Sequence, residues 1–144
     1  MIAERSLVIR TGIQLASPLA VVVAAYLFFA GHNQPGGGFA AGLVLGAVVA
    51  LRTVTGLSRP MRPIRLLAAG GFVVGAIAVA PLVFGEVLLD QVVIDADLPL
   101  LGTVKSGSAL IFDFGVTLIV VGLVSAVLTE LGADALGGVG GRRR

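Results

Sequence analysis

The residue with the clearest capacity for chemistry is Asp113, the one charged residue between Ser106 and Thr129 in an otherwise apolar run. An ionised carboxylate in such surroundings is costly unless it is paired or hydrated, so Asp113 is expected to face a protein interior or a hydrated cavity. At helical spacing, Ser106 and Thr117 fall near the same face and mark that side. The spacing leaves two roles open: a structural hydrogen-bonding group, or a proton-exchanging group in ion transport or its coupling.

The second unusual feature is the segment GHNQPGGGF at residues 31–39, which joins the first two apolar runs. Gly36, Gly37 and Gly38 permit backbone angles that are closed to other residues, and Pro35 fixes the chain ahead of them. The segment leads into the N-terminus of the second run, where free N–H groups favour an anion or a carboxylate. It predicts either a tight turn or an unwound segment that lines a polar cavity. A phosphate loop is excluded, because its lysine and hydroxyl are absent.

His32 is the only histidine of the chain and lies in the same segment. Because histidine titrates near neutral pH, His32 could relay a proton, or it could cap a helix end through a hydrogen bond. No spacing in the sequence assembles a nucleophile, a base and an acid, and no cysteine is present for thiol chemistry or metal ligation. The sequence therefore predicts neither an enzyme nor a cofactor or metal centre.

The elements that must position these residues are four apolar runs, each bounded by charged or polar residues. A helix needs about 20 apolar residues to cross a hydrocarbon core, and backbone groups in lipid must be hydrogen-bonded within the segment. The runs lack the strict alternation of a membrane β-barrel. We therefore predict an all-α fold, an integral membrane bundle of four transmembrane helices forming a single domain. The predicted spans are residues 8–31, 36–54, 64–85 and 106–129, with a flexible tail at 130–144.

The composition agrees with a membrane protein, since 57% of the 144 residues are hydrophobic, 12% are charged and the mean hydropathy is +1.07. A soluble domain carries about 25% charged residues, and disordered chains are polar, so both classes are excluded. The bases border apolar runs and form no nucleic-acid-binding face, so no nucleic acid partner is expected. The first run exceeds a signal-peptide core and lacks a clear cleavage site, so we expect it to remain as a span.

The arginines indicate the orientation of the spans. The segment between the second and third spans contains four arginines and no acid, whereas the segment between the third and fourth spans is acidic. Arginines also lie near the N-terminus and form the last three residues. With four spans, all basic segments fall on one side of the membrane. Because basic loops mark the cytoplasmic side, we predict a multi-pass protein of the cell membrane with both termini in the cytoplasm.

Small residues recur every four positions along the second run, which places them on one helix face where another backbone can approach closely. The third run repeats this spacing. The predicted packing residues are Gly38, Gly42, Gly46, Ala50, Gly71 and Gly75. The spacing does not decide whether the partner helix belongs to this chain or to a different one.

Two stretches, GHNQPGGGFAAGL after the first run and LPLLG with IFDFGVTLIVVG across the last, resemble the MnhB/MrpB family, whose members are subunits of Mrp-type multisubunit sodium/proton antiporters. The resemblance extends from about Leu7 to about Thr129. Thr117 stands where that pattern usually has tyrosine, Lys105 stands where it often has an acid, and the arginine-ended tail lies outside the pattern.

The resemblance implies an accessory membrane subunit that joins larger subunits related to the membrane arm of respiratory complex I. Such a complex exchanges cytoplasmic sodium ions for external protons and is driven by the proton motive force. By position, the resemblance assigns importance to His32, Asn33, Pro35, Gly36, Gly37, Gly38, Phe39 and Asp113.

Two other functions stay open beside the one that the resemblance implies. The first is a structural spacer that holds neighbouring subunits of a related complex I-like membrane complex and has no ion path of its own. The second is an independent channel formed by an oligomer of this chain, which needs a polar lining although the spans offer one carboxylate. In all three functions the lipid bilayer surrounds the chain.

Overall fold

The computed structural model describes residues 7–31, 35–58, 62–83, 85, 87, 93–98 and 102–132. Four helices cover the four apolar runs: α1 (Leu7–Ala30), α2 (Gly38–Val54), α3 (Pro63–Val83) and α4 (Ser108–Glu130). By length and composition α1, α3 and α4 can cross a membrane, and α2 is a shorter apolar helix. The predicted all-α membrane bundle of four helices is confirmed. His32, Asn33 and most of the predicted tail lie outside the described residues.

Local sequence sets the ends of α2. Gly37 precedes the helix with a φ of 92°, in the region that favours glycine. At the other end Gly56 has a φ of 69°, and the backbone N–H groups of Leu57 and Ser58 bond to the carbonyl of Arg52. Such a left-handed glycine satisfies the last carbonyls of a helix and stops it. The next helix, α3, begins at Pro63, where proline loses no helical hydrogen bond.

The helices are arranged with α4 at the centre of the bundle. It packs against both α2 and α3, and α1 packs against the other side of α2. In α4, 33% of the residues in an 18-residue apolar stretch are buried inside the protein. The corresponding share is 11% in α1 and 6% in α3. The outer faces of α1 and α3 are therefore apolar surfaces that the described residues leave uncovered.

A β-hairpin precedes α4 and adds to the predicted helices. Strand β1 (Val93–Leu98) pairs antiparallel with β2 (Gly102–Gly107), in a register that sets Val93 opposite Gly107 and Leu98 opposite Gly102. Gly107 is extended, with a φ of −135°, and leads directly into α4. Ser106 therefore belongs to β2, whereas the sequence spacing had placed it in the fourth helix.

Candidate functional site

The described glycines of the segment, Gly36 to Gly38, form a tight turn that leads into α2. The N–H of Gly37 donates to the carbonyl of Leu27 at 2.8 Å, and the carbonyl of Gly37 accepts from the N–H of Ala41 at 3.1 Å. The first bond fastens the turn to the last part of α1, and the second starts α2. Because Gly37 has a positive φ, a side chain at this position is strained even before packing is considered.

Gly38 brings the start of α2 into backbone contact with α4. A Cβ built on Gly38 would collide with the carbonyl oxygen of Asp113 and would lie 2.6 Å from the carbonyl carbon of that residue. Both Gly37 and Gly38 are buried. The two backbones therefore touch directly, and only a residue without a side chain fits between them.

The carboxylate of Asp113 lies over the same turn. Its Oδ2 is 3.3 Å from the position that a Cβ on Gly37 would take, and the residue is half-buried. Gly37 is the residue that immediately precedes α2, so the carboxylate faces the end of that helix where backbone N–H groups lack helical partners. Asp113 thus faces the bundle interior, on the side that Thr117 marks.

Thr117 joins the two helices by a hydrogen bond. Its hydroxyl lies 2.9 Å from the carbonyl of Gly38 and 2.9 Å from the carbonyl of Asp113, one turn earlier in α4. The side chain is buried, and the bond to Gly38 crosses from α4 to α2. Such hydrogen bonds between membrane helices contribute about 0.6 kcal/mol on average. Thr117 therefore holds Gly38 and Asp113 together from within the bundle.

The other residues of the predicted turn differ in exposure. Pro35 and Gly36 are exposed, and the ring of Phe39 is 60% exposed on the outside of α2. The position of His32 relative to Asp113 falls outside the described residues, so the proton-relay role remains a prediction. Within the described part of the chain, no three His, Cys, Asp or Glu residues are grouped to hold a metal ion.

The glycines of α2 lie against α4 in the structure. Cβ atoms on Gly42 and Gly46 would come within 2.8 Å and 2.9 Å of the side chains of Val120 and Val124. Ala50, the next residue of the predicted stripe, is half-buried. The close contact of α2 with α4 therefore continues for at least two turns beyond the Gly38–Asp113 contact.

The third helix uses a glycine that the spacing did not select. Gly71 and Gly75 have open space where a Cβ would be, and so pack on no other helix among the described residues. Gly70, one position earlier, instead lies against the backbone of Gly115. Gly122 of α4 likewise approaches Leu66 of α3. The seven-residue spacing of Gly115 and Gly122, two turns of a helix, is the sequence signal that could have located this contact.

The fold and the site together define a class: a small multi-pass membrane protein in which one interior carboxylate faces a glycine turn at a helix N-terminus. A family described as "Domain related to MnhB subunit of Na+/H+ antiporter" has a sequence model that matches residues 8–126. The chain belongs to this family, which is a family of transporter components.

Individual relatives agree with that assignment. The chain is 33% identical to the B-type Na(+)/H(+) antiporter subunit of Bacillus subtilis (strain 168), over 89% of this chain and 94% of that protein. It is 31% identical to the putative antiporter subunit mnhB2 of Staphylococcus aureus (strain Newman), over 89% of this chain and 95% of that protein. A chain in the structure of the Mrp complex from Dietzia sp. DQ12-45-1b matches with a TM-score of 0.73 and 31% identity. That match covers 96% of this chain but 15% of the Dietzia chain.

Proposed function

We propose that this chain is an accessory membrane subunit of a multisubunit sodium/proton antiporter driven by the proton motive force. The observation that carries the proposal is the match along 94% of the length of the Bacillus subtilis protein, which is named as a Na(+)/H(+) antiporter subunit. In the proposed complex the chain assembles with other Mrp-type membrane subunits in the cell membrane, and the complex transports sodium ions and protons.

The exposed apolar faces support a role among other subunits. α1 and α3 bury little of their surface within the chain, and large side chains such as Leu19 and Phe72 are 70% and 77% exposed. Lipid covers such faces as readily as protein does, so they permit docking on partner helices without requiring it. The matched Dietzia chain is much longer than this one, which supports a bundle that works as part of a larger membrane assembly.

An independent oligomeric channel fits the site less well. A channel of this kind needs polar groups on a surface that the copies share. Asp113 and Thr117 lie on α4, which packs against both α2 and α3, and both residues are turned toward the start of α2. The half-buried carboxylate therefore lies against the glycine turn of its own chain. A spacer without an ion path remains the alternative, and substitution of Asp113 separates it from a transport role.

Purification in mild detergent tests the proposed function. A tagged chain, expressed with its neighbouring genes, is expected to copurify with larger membrane subunits. Membrane vesicles from cells that lack other antiporters are expected to show sodium-dependent proton movement only when this chain is present. A chain that elutes as a homo-oligomer and leaves exchange unchanged when deleted contradicts the proposal. A chain that copurifies with partners but is dispensable for exchange supports the spacer alternative.

We also propose that both termini face the cytoplasm, on the basis of the arginine distribution. The chain contains no cysteine, so single cysteines report cleanly on each side. We expect Ser58→Cys to react with a membrane-impermeant maleimide only after the cells are opened, and Asp95→Cys to react in intact cells. Ser58 is preferred to its neighbour Gly56, whose φ of 69° disfavours a side chain. Labelling of both cysteines in intact cells contradicts the orientation.

A further inference from the structure

An apolar groove runs between α1 and α2 at the end of the bundle opposite the glycine turn. It has a volume of about 270 Å³ and is partly open to the outside. Its walls are formed by one face of α1 and the last turns of α2, with the lining residues Ile9, Gly12, Ile13, Ala16, Ser17, Ala20, Val48 and Leu51. The hydroxyl of Ser17 is engaged with the carbonyl of Ile13 at 2.6 Å, so it adds no free polar group to the groove.

Two arginines directly follow lining residues at one end of this groove, although neither is itself a lining residue. Arg10 directly follows the lining residue Ile9, and it precedes Ser17 by seven residues, which places both on the same helix face. Arg52 directly follows the lining residue Leu51 and lies one turn after Val48, in the last turn of α2. Both helices therefore carry a positive charge beside the same end of the apolar groove.

The combination matches an anionic phospholipid. A helix with its side chains is about 10 Å in diameter, so the groove is too small to hold a partner helix. A segment of a lipid acyl chain is thinner and fits. Basic pockets between membrane helices recognise acidic headgroups, and arginines near the membrane surface add to that attraction. The apolar groove alone would accept an acyl chain of any lipid. Arg10 and Arg52 would favour a lipid with a negatively charged headgroup.

We propose that this groove binds one anionic phospholipid, with an acyl chain along Gly12, Ala16 and Ala20 and the phosphate between Arg10 and Arg52. The proposal does not depend on the antiporter function, because it follows from the shape and charge of the chain itself. A bound lipid would also fill the space that α1 leaves beside α2.

The test measures the lipids that the purified chain retains. The full-length protein, with any subunits that copurify, is reconstituted in vesicles of equal phosphatidylglycerol and phosphatidylcholine, re-extracted, and analysed by quantitative lipid mass spectrometry. We expect about one phosphatidylglycerol per chain in excess of phosphatidylcholine. The double variant Arg10→Gln/Arg52→Gln is expected to lose that preference by roughly tenfold or more. The control Arg62→Gln/Arg65→Gln removes equal charge at the start of α3 and is expected to retain it.

A second variant tests the groove without changing charge. Gly12 lines the groove, and a Cβ there meets no atom within 4 Å, so Gly12→Leu is expected to fill the space and expel the lipid. Gly71→Leu places the same side chain on the open face of α3 as the control. The proposal is overturned if both double variants retain phosphatidylglycerol equally. It is also overturned if the unmodified chain retains phosphatidylglycerol and phosphatidylcholine alike. A photo-crosslinker at Ala16 that captures a partner protein and no lipid would overturn it as well.

Discussion

A Gly38→Ala chain is expected to lose the docking of α2 on α4 and to disappear from the assembled complex. The added methyl would collide with the carbonyl oxygen of Asp113 and lie 2.8 Å from its Cα, so backbone atoms have to move apart. Overpacking of this kind costs about 1–3 kcal/mol, and separating the helices also stretches the hydrogen bond from Thr117 to the Gly38 carbonyl. The measurement is the amount of chain that copurifies with its partners, together with its thermal unfolding in detergent.

The matched control for this substitution is Gly71→Ala. Gly71 also lies in an apolar helix, but a methyl there meets no atom within 4 Å, so stability is expected to change by less than about 0.5 kcal/mol. If Gly38→Ala assembles and unfolds like the unmodified chain, the backbone contact between α2 and α4 does not hold the bundle together. If Gly71→Ala alone fails to assemble, a partner protein occupies that face of α3.

Asp113→Asn is expected to assemble normally and to lower sodium/proton exchange at least tenfold, which corresponds to about 1.4 kcal/mol in the transport barrier. Asparagine keeps the size of the side chain and much of its hydrogen bonding, so the contact with the turn is preserved. It can neither carry a negative charge toward the N-terminus of α2 nor release a proton. The measurement is the rate of sodium-dependent proton movement in vesicles that contain equal amounts of assembled complex.

Glu130→Gln provides a control for the loss of one acidic group. Glu130 is an exposed residue that ends the same helix, far from the turn, and its change is expected to leave exchange intact. Normal exchange by Asp113→Asn contradicts a role for this carboxylate in transport and leaves the structural role. Failure of Asp113→Asn to assemble would show that the carboxyl group itself, and not only its size, holds α2 in place.

The helices and the inward direction of Asp113 could be predicted because burial in lipid constrains them strongly. In a membrane, an uninterrupted apolar run satisfies its backbone hydrogen bonds by forming a helix. A lone carboxylate in such a run needs polar surroundings. The contact between the glycine turn and Asp113 was not predicted, because it depends on how α2 and α4 meet across a distant part of the chain. The sequence patterns identified the glycine segment and Asp113 separately, but not the contact between them.

The features that the spacing did not identify have equally local causes. Gly70, Gly71 and Gly75 are all compatible with close packing, and only the rotation of α3 about its axis decides which of them faces α4. That rotation is set by the valines and leucines of the interface, whose fit a spacing rule does not capture. The β-hairpin was missed because alternating Val, Ile and Asp residues between two spans were interpreted only through their charge.

The shortness of α2 has a consequence for the surrounding bilayer. Its 17 residues extend about 25 Å, whereas a hydrocarbon core is about 30 Å thick. A segment shorter than the core draws the lipid surface inward or admits water beside it, at a modest cost for each ångström of mismatch. One end of α2 is the glycine turn beside Asp113, so thinning at that end brings the aqueous boundary closer to the carboxylate.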